Sequence, residues 1–156
     1  MRVWAGRRFS VLVEGGYEIA DAPDAVAIVA LDAEDRFVLV RQQRIATGNK
    51  LIELPAGLIV DGEAPIQAAQ RELREETGLR AGSWRELASF WSSPGLTNER
   101  VWLFEATGLE EGEPEPDEGE QLEVIRWTRD EVEARLHELV DASTLVGLLL
   151  YLRGAS

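Results

Sequence analysis

Residues Gly57–Leu79 read GLIVDGEAPIQAAQRELREETGL, a loop that runs into a short amphipathic helix crowded with carboxylates. Pro65 suits the first helical turn, where its missing N–H costs nothing. Gly78 suits the position just past the helix end, where a left-handed residue is wanted. Between them Ile66, Ala69 and Leu73 recur at helical spacing and are expected to face a core. Glu72 and Glu76 stack on one face, next to that stripe, and Glu75 reaches the same region. Arg71 precedes Glu75 by one helical turn and can pair with it. Unpaired, such like charges weaken a helix; a hard dication that takes carboxylate oxygens, such as Mg2+, removes the penalty. The plainer reading of a generic Arg/Glu-rich helix is a solvated charged face.

The rest of the chain sets the frame. Its 156 residues suffice for one domain, and 45% hydrophobic content is ordinary for a globular protein. A formal net charge of −13 argues against nucleic acid as a partner, which needs a basic face. An anionic substrate must then be recruited locally, by metal and a few arginines. The absence of cysteine excludes a disulfide framework and a thiol nucleophile. The N-terminus has no apolar signal core, and no run approaches the ~18 apolar residues of a membrane span. A cytoplasmic location is the expectation.

Strands are expected at 9–13 and 17–20 around Glu14-Gly15-Gly16, and at 24–31, 37–41, 51–54, 84–92, 100–107 and 123–127. The 24–31 run is nearly all apolar, as in a strand buried on both faces. Residues 108–120 are acidic, aperiodic and read as a loop. Two further helices are expected, one from Thr128 or Asp130 through Leu139 and one capped by Ser143 and ending near Gly154. The sole histidine, His137, falls among Leu136 and Leu139 and reads as structural. The alternation predicts an α/β sandwich, with helices on both sides of a mixed sheet.

In its full spacing, G-x5-E-x7-R-E-L-x-E-E-x-G-L, the opening segment resembles the Nudix box. The family comprises hydrolases of nucleoside diphosphates linked to another moiety. The resemblance implies an α/β/α sandwich and a loop–helix–loop in which Glu72, Glu75 and Glu76 hold divalent metal, Mg2+ or alternatively Mn2+. The carbonyl of Ala56 would add a ligand. Glu63 and Arg71 would brace the loop and helix, with Gly57 and Gly78 serving its turns.

Four segments outside the box resemble the ADP-ribose pyrophosphatase branch: Ser93-Pro94-Gly95 with Glu99, Val40-Arg41-Gln42-Gln43-Arg44, Glu53-Leu54-Pro55-Ala56-Gly57, and Gly15-Gly16-Tyr17-Glu18. That likeness implies substrate contacts from Gly57, Leu58, Pro94 and Glu99, and from Arg44 to a phosphate. Arg7 and Glu18 would reach the nucleoside from the opposite subunit of a homodimer, with residues 1–22 forming the dimerising hairpin of a single domain spanning 1–156. In Asp117-Glu118-Gly119-Glu120, Glu118 would be the general base, with Glu120 as its partner or an alternative ligand. Each has a bland counterpart: Pro94-Gly95 as a turn, Arg44 as a surface ion pair, Arg7 and Glu18 as exposed hairpin residues, the acidic run as a solubilising loop. Two positions depart from the branch, Gly16 where Arg is common and Val60 where an acid is common. The implied reaction is metal-dependent cleavage of ADP-ribose to AMP and ribose 5-phosphate. The alternatives are hydrolysis of another nucleotide and a non-catalytic nucleotide sensor.

Overall fold

The computed structural model describes residues 1–113 and 122–154. Among them are ten strands: β1 (Arg2–Ala5), β2 (Ser10–Glu14), β3 (Tyr17–Asp21), β4 (Ala25–Leu31), β5 (Phe37–Arg44), β6 (Asn49–Glu53), β7 (Ala56–Leu58), β8 (Arg80–Trp91), β9 (Arg100–Glu110) and β10 (Leu122–Trp127). Three helices accompany them: α1 (Pro65–Thr77), α2 (Arg129–Arg135) and α3 (Ala142–Gly154). The main sheet runs β10-β5-β4-β9-β8, with β6 beside β5 and β7 beside β4. β4 and β9 are parallel and the other pairs antiparallel, so the sheet is mixed.

β4 explains the layering. Val26 through Ala30 are fully buried. Strand side chains alternate between faces. Val26, Ile28 and Ala30 accordingly pack with Ala68, Ala69 and Leu73 of α1. Ala27, Val29 and Leu31 pack on the other face with Val132 of α2, Leu148 of α3, and Leu139 from the segment between those helices. Two separate cores, each worth roughly 1.5–3 kcal/mol per large side chain buried, clamp the strand into an α/β/α sandwich.

Several boundaries differ from the sequence reading. The N-terminal unit is a three-stranded antiparallel sheet, because residues 2–5 add a strand to the expected hairpin. It is tied to the 93–99 loop: Ala20 N–H donates to the Leu96 carbonyl (2.9 Å), Thr97 Oγ1 to the Ala20 carbonyl (2.7 Å), and Ala22 N–H to Asn98 Oδ1 (3.0 Å). Residues 108–110 continue β9 rather than opening a loop. The helix after Thr128 stops at Arg135 and tightens into a 3-10 turn over Leu136–Glu138. His137 is exposed there, so it packs no core. No described helix is long and apolar enough to cross a membrane.

Asp141, not Ser143, caps α3, its Oδ2 accepting from Thr144 N (2.8 Å) and Thr144 Oγ1 (2.7 Å). The same buried hydroxyl accepts from Leu54 N–H (2.9 Å). This bond anchors the segment that leads into the cleft described next. Thr144→Val keeps the shape but strands a buried N–H, and is expected to cost about 1–3 kcal/mol, read from the urea midpoint.

Candidate active site

The strand β7 brings the loop onto the sheet and sets up the site. Ala56 and Gly57 register with Ala27 and Val26 of β4. The flanking backbone is pinned by Ile28 N–H to the Pro55 carbonyl (2.9 Å) and Ile59 N–H to the Asp24 carbonyl (2.8 Å). α1 then lies against this loop. Its start carries Pro65 in the first turn, and the Gln67 side-chain oxygen accepts from Ala64 N–H (2.9 Å). Its end is closed by Gly78 at φ 77°, donating to the Arg74 carbonyl, a conformation that favours glycine. Ala69 and Leu73 are buried as their spacing requires, and Ile66 packs at the edge of the same cluster.

Between β7, α1 and the end of β5 opens a cleft of about 560 Å3. Glu72, Glu75, Glu76, Arg71, Arg44, Ala56, Gly57, Leu58 and Glu99 all line it. Among residues singled out from the sequence, Arg7, Glu18 and Pro94 lie outside this lining, and so does Glu63, which acts through Arg71. Arg7, Glu18 and Pro94 are exposed on or beside the N-terminal sheet. Glu118 and Glu120 lie outside the described residues.

Arg71 is the centre of the cluster. Its guanidinium donates to both oxygens of Glu63 (2.9 Å each), to Glu72 (2.5 Å), to Glu75 (3.1 Å) and to the Leu58 carbonyl (2.9 Å). These partners raise the Arg71 pKa above its ordinary value, the Glu63 bonds first. The same bonds lower the Glu63 pKa, against an opposing effect of burial, and Val60 N–H adds to the lowering. A carboxylate whose folded pKa is depressed stabilises the fold above its ordinary value, here 4.5, and loses that stabilisation as pH falls through the folded value. Stability measured by denaturant is therefore expected to fall with pH below 4.5. Glu63→Gln, which cannot titrate, should show a shallower fall.

Glu76 is buried at 5% exposure, and its Oε2 accepts from Ala56 N–H (3.0 Å). Glu72 lies against Gly57 so closely that a Cβ on residue 57 would overlap its carboxylate. The glycine is thus required by approach rather than by φ. Gly57→Ala should displace the Glu72 carboxylate while sparing the core. The expected result is a 10- to 100-fold loss of activity, the rough scale for disturbing a ligand's support, with a nearly unchanged melting temperature.

The sequence reading passed over several cleft residues. Glu53, 3% exposed, receives Arg44 through Nε and Nη2 (2.5–3.1 Å) and Gln42 Nε2 (3.1 Å). Glu53 bonding raises the Arg44 pKa and fixes its fork at the cleft wall. An acid closing an otherwise apolar strand was the available signal. Arg8, Asp141 and Ser143 also line the cleft, from segments remote in sequence that only the fold brings together.

The oxygen-rich donor set fits a hard dication. Among the described residues, however, no three acidic or imidazole groups are arranged as a closed ligand cage. The side-chain placement explains this: Glu72 and Glu75 turn to Arg71, and Glu76 turns to Ala56 N–H.

Comparison with known proteins bears on what such a cleft serves. The NUDIX domain profile matches residues 21–144. The chain is 39% identical to an ADP-ribose pyrophosphatase of Mycobacterium tuberculosis (strain ATCC 25618 / H37Rv), covering 94% of this chain and 75% of that protein. It is 38% identical to an ADP-ribose pyrophosphatase of Bacillus subtilis (strain 168), over 81% and 71%. It is 36% identical to a methanol dehydrogenase activator of Bacillus methanolicus, over 84% and 73%. A solved structure described as an ADP compounds hydrolase superposes with a TM-score of 0.85 at 27% identity, covering 100% of this chain and 92% of that one. With the box folded as a loop and helix on the edge of β4 and the profile spanning most of the sequence, the chain belongs to the Nudix family.

Proposed function

We propose that the chain is a single-domain pyrophosphohydrolase that cleaves ADP-ribose to AMP and ribose 5-phosphate. The observation that carries this is one cleft holding Glu72, Glu75, Glu76, the Ala56–Gly57 backbone and a fixed Arg44. Family members are generally dependent on a divalent metal; here Mg2+, with Mn2+ as substitute, would be held by the three glutamates and the Ala56 carbonyl. When bound, the ion offsets charge on the diphosphate and lowers the pKa of water. The protein's own contributions are positional. Arg44, braced by Glu53, presents paired donors to a phosphate. Gly57 and Leu58 let the substrate approach the backbone, and Glu99 bounds the far side. Glu118, with Glu120 as partner or alternative, takes a proton from water as its oxygen attacks phosphorus. The bridging P–O bond breaks, and its oxygen leaves with one monophosphate.

Pro94 is kept as a substrate contact, and Arg7 and Glu18 enter this reading through a homodimer. The N-terminal sheet exposes Val3, Trp4, Phe9 and Tyr17, an apolar surface suited to a second copy. Pairing there would carry Arg7 and Glu18 toward the partner's cleft. Light scattering showing a monomer at assay concentration removes that role. A cytoplasmic location belongs to the same reading, since this substrate is a metabolite of nucleotide turnover; cell fractionation tests it.

Product analysis with Mg2+ or Mn2+ decides the reaction. ADP-ribose should yield both monophosphates, faster than a nucleoside triphosphate, another nucleotide sugar or a dinucleoside polyphosphate is cleaved. Faster cleavage of one of these replaces the substrate assignment. Tight ADP-ribose binding without turnover replaces the enzyme with a sensor.

A further inference from the structure

The flank of α1 that turns away from the cleft meets the start of β8 across a second cavity, about 350 Å3 in volume. Arg71, Arg74, Arg80, Gln67, Gln70 and Trp84 form its wall, and no carboxylate lines it. A wall with three arginines and no carboxylate is unexpected in a chain of net charge −13. Arg71 is committed to Glu63, Glu72 and Glu75, so it closes the cavity rather than serving it. Arg74 is different. Its Nε is buried with no hydrogen-bond partner among the described residues, and its Nη2 is 3.9 Å from Glu75, too long for a hydrogen bond. The Arg74 side chain is 38% exposed overall, so its guanidinium remains open to an acceptor from the cavity it lines. Arg80, exposed at the start of β8, stands across the same space.

We propose that this cavity binds a phosphate group, inorganic or carried on a small monoester, at a site separate from the substrate cleft. The phosphate oxygens accept from Arg74 and Arg80, whose planar forks match a phosphate better than a point charge would. Gln67 and Gln70 supply amide donors, and Trp84 is an apolar wall for whatever the phosphate carries. The cavity falls within the usual size of a small-ligand site. The assignment does not depend on the reaction proposed above.

The test is calorimetric titration of the full chain, without divalent metal, using inorganic phosphate, ribose 5-phosphate and AMP in turn. Saturable binding is expected, weakened at least tenfold by Arg80→Ala and by Gln70→Glu, which places a like charge in the cavity. Glu76→Gln, a change in the cleft, should leave that component intact. Equal affinity for all three probes marks free phosphate as the sufficient ligand, and tighter binding of a monoester marks the organic part as recognised. The proposal is overturned by the absence of saturable binding. It is equally overturned if binding survives both Arg80→Ala and Gln70→Glu in folded protein, or is lost in Glu76→Gln.

Discussion

Glu76→Gln is expected to lower kcat/KM for ADP-ribose by about 100- to 1,000-fold, with little change in stability. The substitution is close to isosteric. Glu76 Oε2 accepts from Ala56 N–H, and the glutamine oxygen can accept the same bond. The side chain is 5% exposed and sits beside Glu72 and Glu75 at the cleft, so removing its charge also relieves like-charge repulsion. What disappears is one anionic oxygen donor. A dication at a phosphoryl centre is worth several kcal/mol, and each ~1.4 kcal/mol is a factor of ten in rate. Removing one preorganised electrostatic group at a reacting centre typically costs about 2.7–4 kcal/mol, which is two to three such factors. Steady-state kinetics across a Mg2+ titration separates the outcomes. Lost activity that returns at high Mg2+ means weakened metal affinity; a loss that persists at saturation means misplacement. Full activity at ordinary Mg2+ removes Glu76 from the metal site.

How much of this site was legible in the sequence depended on whether its determinants were local. The α1 face was legible because helical pitch alone brings Glu72, Glu75 and Glu76 together, and the Arg71–Glu75 pair formed as its spacing required. The buried strand at 24–31 was legible because burial on both faces leaves an apolar run without alternation. β7 was not, since three residues in Ala56–Leu58 give too short a pattern, and its pairing with β4 is a tertiary fact. The first strand was missed for a similar reason: Arg2–Ala5 is exposed throughout and gains its order from pairing with β2. Glu53 was quoted only as part of a motif, because its partner Arg44 reaches it from the neighbouring strand β5, where Val40 rather than Arg44 stands opposite Glu53 in the ladder. Asp141 and Ser143 reach the cleft from the start of α3, a juxtaposition no local pattern encodes.

Arg71→Ala is expected to be the most destabilising single change at the site, by about 2–4 kcal/mol. The guanidinium is 26% exposed and its carboxylate partners 13–21%. Removing one partner of a fully buried ion pair costs about 3–5 kcal/mol, because the remaining charges stay desolvated and uncompensated. Partial solvent access here reduces that figure. The loss also frees the Leu58 carbonyl and loosens the 57–63 loop from α1. Arg71→Lys should recover less than half of the deficit, since an ammonium restores the charge but cannot reach Glu63, Glu72, Glu75 and Leu58 at once as the planar fork does. Mg2+ offers a second reading of the same network. A ligand that binds only the folded state stabilises it by mass action, and Arg71 competes for the oxygens of Glu72 and Glu75 that a dication would take. Folded Arg71→Ala protein should therefore gain more stability from millimolar Mg2+ than wild type does, in urea titrations run side by side. An equal or smaller gain would mean that Arg71 organises these carboxylates for metal rather than competing for them.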